Sequence, residues 1–348
     1  MKTQFANAQF ANINGTGTIS RLRRACWVAS LFVPAMLATA VAQQPSPDLT
    51  PLPPAAIGPQ VPKDKGYIVQ EVRDGLYWVG DGSYTAMFLV YDTGVIAVDA
   101  PRTIGKKYLS AIADVTSKPI THVIYSHEHS DHIGSADMFP KSAIIIAQEE
   151  TANFLKRYQD PHRPIPQVTF KDHYVLNVGG QELDLDYHGP IHVAGNTFVY
   201  APKQKVLMLV DVAFPGWIPY KNLAESQDIP EYVRGYDVAL SYDFNTYIGG
   251  HVTRPGTRDD VIVGREFILD LKRAARAAAS AVSFQEVAKT VTNPNRWSLV
   301  DAYRNAQTQK CVEDMLPRWR NRLGGVETFL PSQCDTMVEA LNIDFGPN

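Results

Sequence analysis

The chain has 348 residues and a formal net charge of −3. Its N-terminal leader, described next, holds four basic residues (Lys2, Arg21, Arg23 and Arg24) and no acidic one. Without it the charge is about −7, which argues against nucleic acid or another polyanion as substrate.

Arg21, Arg23 and Arg24 precede an apolar run from Ala25 to Ala42 that closes on Ala40-Val41-Ala42. This is the pattern of a secretory signal over residues 1–42, cut before Gln43. Pro34 interrupts the run, which is too short for a membrane span, so no integral span is expected after cleavage. Arg23-Arg24 leaves a twin-arginine route open, and the mature protein is expected in the periplasm or secreted. Residues 43–62 contain Pro45, Pro47, Pro51, Pro53, Pro54, Pro59 and Pro62, and they read as a tether without regular structure. The rest, about 285 residues, suffices for one large domain or for a domain with an appendage.

Short apolar, β-branched runs follow: Tyr67 to Val72, Leu76 to Val79, Ala86 to Tyr91 and Val95 to Val98, separated by Gly and Asp turn signals. They predict strands of a meander. A helical pattern covers Ile104 to Val115, a strand Ile120 to Tyr125, a short helix Ser135 to Met138, a strand Ala143 to Ala147 and a helix Glu149 to Tyr158. Further strands are expected near Val175, Leu183, Phe198 and Val206. From residue 258 to 348 the pattern turns helical, at Val261 to Ala281, Phe284 to Val291, Leu299 to Leu323 and Ser332 to Leu341. Cys311 and Cys334 are the even pair left once Cys26 departs with the signal, and a disulfide between them suits an oxidising compartment.

Chemistry concentrates directly after the strand that ends near Tyr125. There the chain reads His127-Glu128-His129-Ser130-Asp131-His132, four candidate metal ligands in six residues. Imidazole suits zinc and similar borderline ions, and carboxylate adds negative charge. Other candidates fall at turns after strands: His188-Gly189-Pro190-Ile191-His192, Leu209-Val210-Asp211 and Gly249-Gly250-His251. Each alone is weak. Their order after the first motif makes the set informative.

In these motifs the region from Tyr67 to Val252 resembles the metallo-β-lactamase superfamily. The resemblance implies an α/β fold, an αββα sandwich over residues 63–257, with the helical C-terminal region as an appendage. It further implies two metal ions per chain, zinc first, with iron or manganese as other occupants. His127, His129 and His192 would hold one ion, Asp131, His132 and His251 the other, and Asp211 would bridge them. Ile191 and Val193 depart from the family's usual third motif, so the choice of His192 over His188 rests on the Gly195-Asn196 that follows. Asp99 falls where the family places a carboxylate behind the metal loop, and it reads equally well as a turn cap.

The implied activity is hydrolysis of a carbonyl ester, lactone or thioester by a hydroxide shared between the ions, with Asp131 orienting it and carrying a proton. An Asp at position 211 resembles lactonases and glyoxalase II thioesterases more than β-lactamases. A β-lactam hydrolase is the runner-up; an iron redox protein and a non-catalytic envelope binding protein are the others. Tyr84, Phe88, Phe214, Trp217 and Tyr220 lie near the motifs and suggest a small apolar or aromatic substrate. Trp217 stands out because it follows Asp211. Relatives are commonly homodimers, and nothing in these residues shows an interface.

Overall fold

The structure is a computed structural model that describes residues 51–346. The expected signal at 1–42 lies outside the described residues. The first sheet runs β1 (Ile68–Arg73), β2 (Leu76–Gly80), β3 (Thr85–Tyr91), β4 (Gly94–Val98), β5 (Ile120–Ile124), β6 (Ile144–Gln148) and β7 (Val168–Phe170), side by side in chain order. Strands β1 to β4 pair antiparallel because tight turns join them. At the first turn Asp74 and Gly75 both have positive φ (46° and 80°), the twist that two-residue hairpins require. From β4 onward the pairing is parallel, and the crossovers carry α1 (Lys107–Val115), α2 (Ser130–Ile133) and α3 (Glu149–Tyr158).

The second sheet holds β8 (His173–Val178), β9 (Gln181–Asp186), β10 (Phe198–Ala201), β11 (Val206–Met208), β12 (Thr246–Ile248) and β13 (Gly256–Thr257), in spatial order β13-β12-β11-β10-β9-β8. Between β11 and β12, which are parallel, lies α4 (Ile229–Ser241), capped by Asp228 and opened by Pro230. The sequence pattern did not predict this helix. Two tyrosines lie on its buried face, Tyr232 and Tyr236, both donating to the carbonyl of Val212. Four more helices follow: α5 (Arg258–Ala281), α6 (Phe284–Ala288), α7 (Arg296–Trp319) and α8 (Val326–Ile343). Among the described residues, no helix is long and apolar enough to cross a membrane.

Alternation along the strands sets the layers. Leu76, Trp78, Met87 and Leu89 of the first sheet share a buried cluster with Leu183, Leu185, Val199 and Met208 of the second. Their neighbours Val79, Ala86 and Phe88 face the other way, onto Ala111 and Ile112 of α1 and Leu155 of α3. On the far side, Phe198, Leu207 and Tyr247 pack with Phe267, Leu271, Met315 and Met337 of α5, α7 and α8. Three apolar interfaces between four layers make an αββα sandwich, with the C-terminal helices on the outer face of the second sheet.

Cys311 of α7 and Cys334 of α8 are both fully buried and form a disulfide across 23 residues. Closing a loop of that length is worth about 3 kcal/mol of unfolded-state entropy. The double variant C311S/C334S is expected to lose about that much in urea unfolding, and an unchanged midpoint would deny the bridge a stabilising role.

The proline-rich segment departs from expectation where it is described. Pro54–Ala56 forms a 3-10 turn opened by Pro54, whose fixed φ suits that position. Ala56 is buried, and its carbonyl accepts from Trp217 Nε1 and Thr253 Oγ1, both at 3.0 Å. Arg254 adds two hydrogen bonds to the Ala55 carbonyl. This stretch is therefore docked against the fold rather than a free tether.

Candidate metal centre

The chain turns sharply where strands of both sheets end, and the seven predicted ligands meet there. After β5 the backbone carries His127, His129, Asp131 and His132 in quick succession, the last two on the single turn of α2. His192 comes from the loop between β9 and β10, Asp211 from the end of β11 and His251 from the end of β12. One donor atom each from His127, His129, His192 and Asp211 lies within 4.8 Å of the others, and so do atoms of Asp131, His132 and His251.

Asp211 sits between these sets. Its Oδ2 is 3.4 Å from His127 Nε2, 3.4 Å from His192 Nε2 and 3.1 Å from His132 Nε2, while Oδ1 is 2.8 Å from His251 Nε2. Short as they are, two of these contacts lack hydrogen-bond direction: His127 Nε2 and Asp211 Oδ1 are buried without a partner. Buried donor atoms left without a partner in the middle of such a cluster fit a metal site.

Neighbouring hydroxyls contact two of the imidazoles, and one of them sets a tautomer. Ser126 Oγ lies 3.0 Å from His127 Nδ1. Ser226 Oγ lies 3.2 Å from His192 Nδ1 and donates to the Leu223 carbonyl at 2.7 Å, so it receives the imidazole proton. With Nδ1 protonated, the His192 Nε2 lone pair points inward, and the Ser126 contact allows the same tautomer in His127. Burial keeps these imidazoles neutral, holding His127 well below the ordinary range and His192 at about 4. Burial also lowers His129. It opposes charge on His132 too, but Asp211 and Asp131 outweigh it and raise that pKa to about 9. Burial would raise the Asp211 carboxyl, yet His132 and His251 hold it well below the usual range. The side chains alone thus keep a proton on His132 against a charged Asp211, and binding a cation would release it.

Strain marks the same place. Asp211 has φ 66° and Asp99 φ 63°, left-handed values that cost a non-glycine residue energy and gather at functional sites. Asp99 is fully buried, accepts from the Ser126 amide at 2.8 Å and is raised to about 6 by burial. It ties the start of the histidine loop to the end of β4, which is a supporting role behind the donors.

The alternative His188 lies outside the cluster, with its Nε2 2.7 Å from the Tyr242 hydroxyl and its ring edge-on to Phe198. Ile191 and Val193, which flank His192, are buried. Ile191 packs so tightly on Gly235 of α4 that a Cβ there would come within 2.2 Å of it.

A cavity of about 480 Å³ opens over the donors, lined by Tyr84, His129, Asp131, Tyr220, Glu225 and His251 among others. Tyr84 donates to Asp131 Oδ2 at 3.2 Å, a contact that depends on β3 lying beside the loop and has no trace in the sequence. Of the other aromatics, Phe214 stacks on His251, Phe88 is core, and Trp217 lies elsewhere, against Ala56 and Gly324. Placing Trp217 at the substrate is therefore corrected: sequence proximity to Asp211 did not carry through the turn at Gly216.

Residues 79–274 match the model of the Metallo-beta-lactamase superfamily. Among curated proteins, the chain is 31% identical over 195 residues to the 2,4-dinitroanisole O-demethylase subunit alpha of Nocardioides sp. (strain JS1661), covering 55% of this chain and 59% of that protein. It is 27% identical over 164 residues to the Metallo-beta-lactamase type 2 of Elizabethkingia meningoseptica, covering 44% of this chain and 64% of the relative. The chain thus spans less than two thirds of either relative. A metallo-beta-lactamase from Pontibacter korlensis has a solved structure that superposes with a TM-score of 0.51 at 18% identity, over 58% of this chain and 99% of that one, a likeness of fold.

Proposed function

The chain belongs to the metallo-beta-lactamase superfamily, and from that premise we propose that it is an exported hydrolase of a carbonyl ester, lactone or thioester working with two divalent ions, zinc first. In this reading His127, His129 and His192 hold one ion, Asp131, His132 and His251 hold the other, and Asp211 is shared. The observation that supports it best is the Asp211 carboxylate, with one oxygen toward three imidazoles and the other toward His251. Ions bound there supply Lewis acidity for a scissile carbonyl and bring the pKa of water toward neutrality.

The protein side chains do the rest. Asp131 is 42% exposed and lines the cavity, so it can take a proton and pass it to a leaving group. The Tyr84 hydroxyl holds one of its oxygens and thereby aims the other. Ser226 keeps His192 in the tautomer that leaves Nε2 free, and the Ser126 contact allows the same of His127. Tyr84 and Tyr220 offer aromatic walls to an apolar substrate.

Two relatives favour other bonds: one is named for O-demethylation of 2,4-dinitroanisole and another as a β-lactamase. A panel of a lactone, a thioester, an aryl ester, 2,4-dinitroanisole and nitrocefin separates these readings. Chelator-sensitive turnover of one of the first three is expected. Turnover confined to dinitroanisole or nitrocefin would move the assignment to that bond, and no turnover at all would overturn it.

A further inference from the structure

One wall of the cavity is built in a way that the metal site does not require. Asn222, Leu223, Ala224 and Glu225 have φ of 53°, 53°, 59° and 57°, four consecutive non-glycine residues in a left-handed turn. L-residues resist that conformation, so something must hold it. The clamp is Gln333 of α8, fully buried, whose Oε1 accepts from the Leu223 amide at 2.6 Å and whose Nε2 donates to the carbonyls of Pro219 and Tyr220 at 2.7 and 2.9 Å. Ser332 Oγ accepts from the Asn222 amide at 3.2 Å. The C-terminal helix thus forces onto the cavity rim a turn that the local sequence would not adopt alone.

What that turn presents is a charge. The lining of the cavity includes three carboxylates, Asp131, Asp211 and Glu225, and neither lysine nor arginine. Lys221, at the start of the turn, is exposed and lies outside this lining. Asp131 and Asp211 are committed to the metal cluster, which leaves Glu225 as the lining charge free to meet a substrate. Asn222 Nδ2 lies 3.3 Å from both of its oxygens and orients the carboxylate. We propose that Glu225, held at the rim by the Gln333 clamp, is a specificity-determining residue that turns away anionic substrates and favours neutral or cationic aromatic ones. The proposal rests on the metal-site reading above. A substrate carboxylate held at the rim, away from the ions, would face Glu225 with no lining lysine or arginine to pair with, whereas an ammonium group there would find a partner.

The test uses binding rather than turnover. Zinc-loaded full-length protein is titrated by calorimetry with two para-substituted aromatic thiols of similar size, 4-mercaptobenzylamine and 4-mercaptobenzoate, each able to ligate zinc through sulfur. Wild type is expected to bind the ammonium thiol about tenfold more tightly. Glu225→Gln is expected to bring the two close together and Glu225→Lys to reverse the order. Glu225 is exposed, so both variants should keep the wild-type melting temperature and zinc content. An affinity ratio that is the same in wild type and Glu225→Lys overturns the proposal while leaving the metal site standing. Failure of both thiols to bind wild type overturns the metal-site reading, and the proposal with it.

Discussion

Asp211→Asn is expected to lower turnover about 10³-fold and to leave the chain short of metal, the largest effect of any single conservative change. The amide has nearly the shape of the carboxylate, so the fold around β11 should survive. What is lost is a full negative charge at the point where four imidazoles converge. His132 and His251 hold that carboxyl well below its ordinary pKa despite its burial, so it is charged at any working pH. An amide also turns a donor toward the imidazoles it faces. Measured side by side, metal content and kcat should fall together. A variant that retained its ions and most of its rate would show that Asp211 is a bystander.

Asp131→Asn should separate chemistry from metal holding. Asp131 is half-exposed, stands 3.5 Å from His132 and 3.8 Å from His251, and belongs to the set of three donors rather than four. Its loss leaves His127, His129, His192 and Asp211 intact, so at least one ion per chain should remain. Turnover is nevertheless expected to drop about 10²-fold or more, because an amide cannot carry a proton. The loss should fall mainly on kcat. A variant with normal kcat and a weakened second ion would make Asp131 a ligand only.

Much of the candidate centre was legible because its proposed ligands lie at a spacing that packing does not explain. His127, His129, Asp131 and His132 are four donors in six residues after a buried strand, and the later motifs each follow a strand of the second sheet. The strands β2, β3 and β4 were legible as short apolar runs between turn signals, while the sandwich they build came from the resemblance of the histidine motifs to a known family. What escaped depends on contacts between distant segments. The hydroxyl of Tyr84 reaches Asp131 across 47 residues, and Gln333 shapes a turn 110 residues away. Neither leaves a local pattern. The helix Ile229–Ser241 was missed because Pro230, Gly235 and two tyrosines interrupt its aliphatic pattern, and Trp217 was misplaced because nearness in sequence stood in for direction in space. The prolines near residue 54 read as a tether, since nothing local shows that Ala56 finds Trp217 and Thr253.

The most direct measurement is metal content of the purified protein by plasma mass spectrometry, before and after chelation, alongside turnover of the best panel substrate. About two ions per chain are expected, with activity lost on chelation and restored by zinc. A chain that purifies without bound metal, or one whose activity survives complete removal of its ions, would contradict the account.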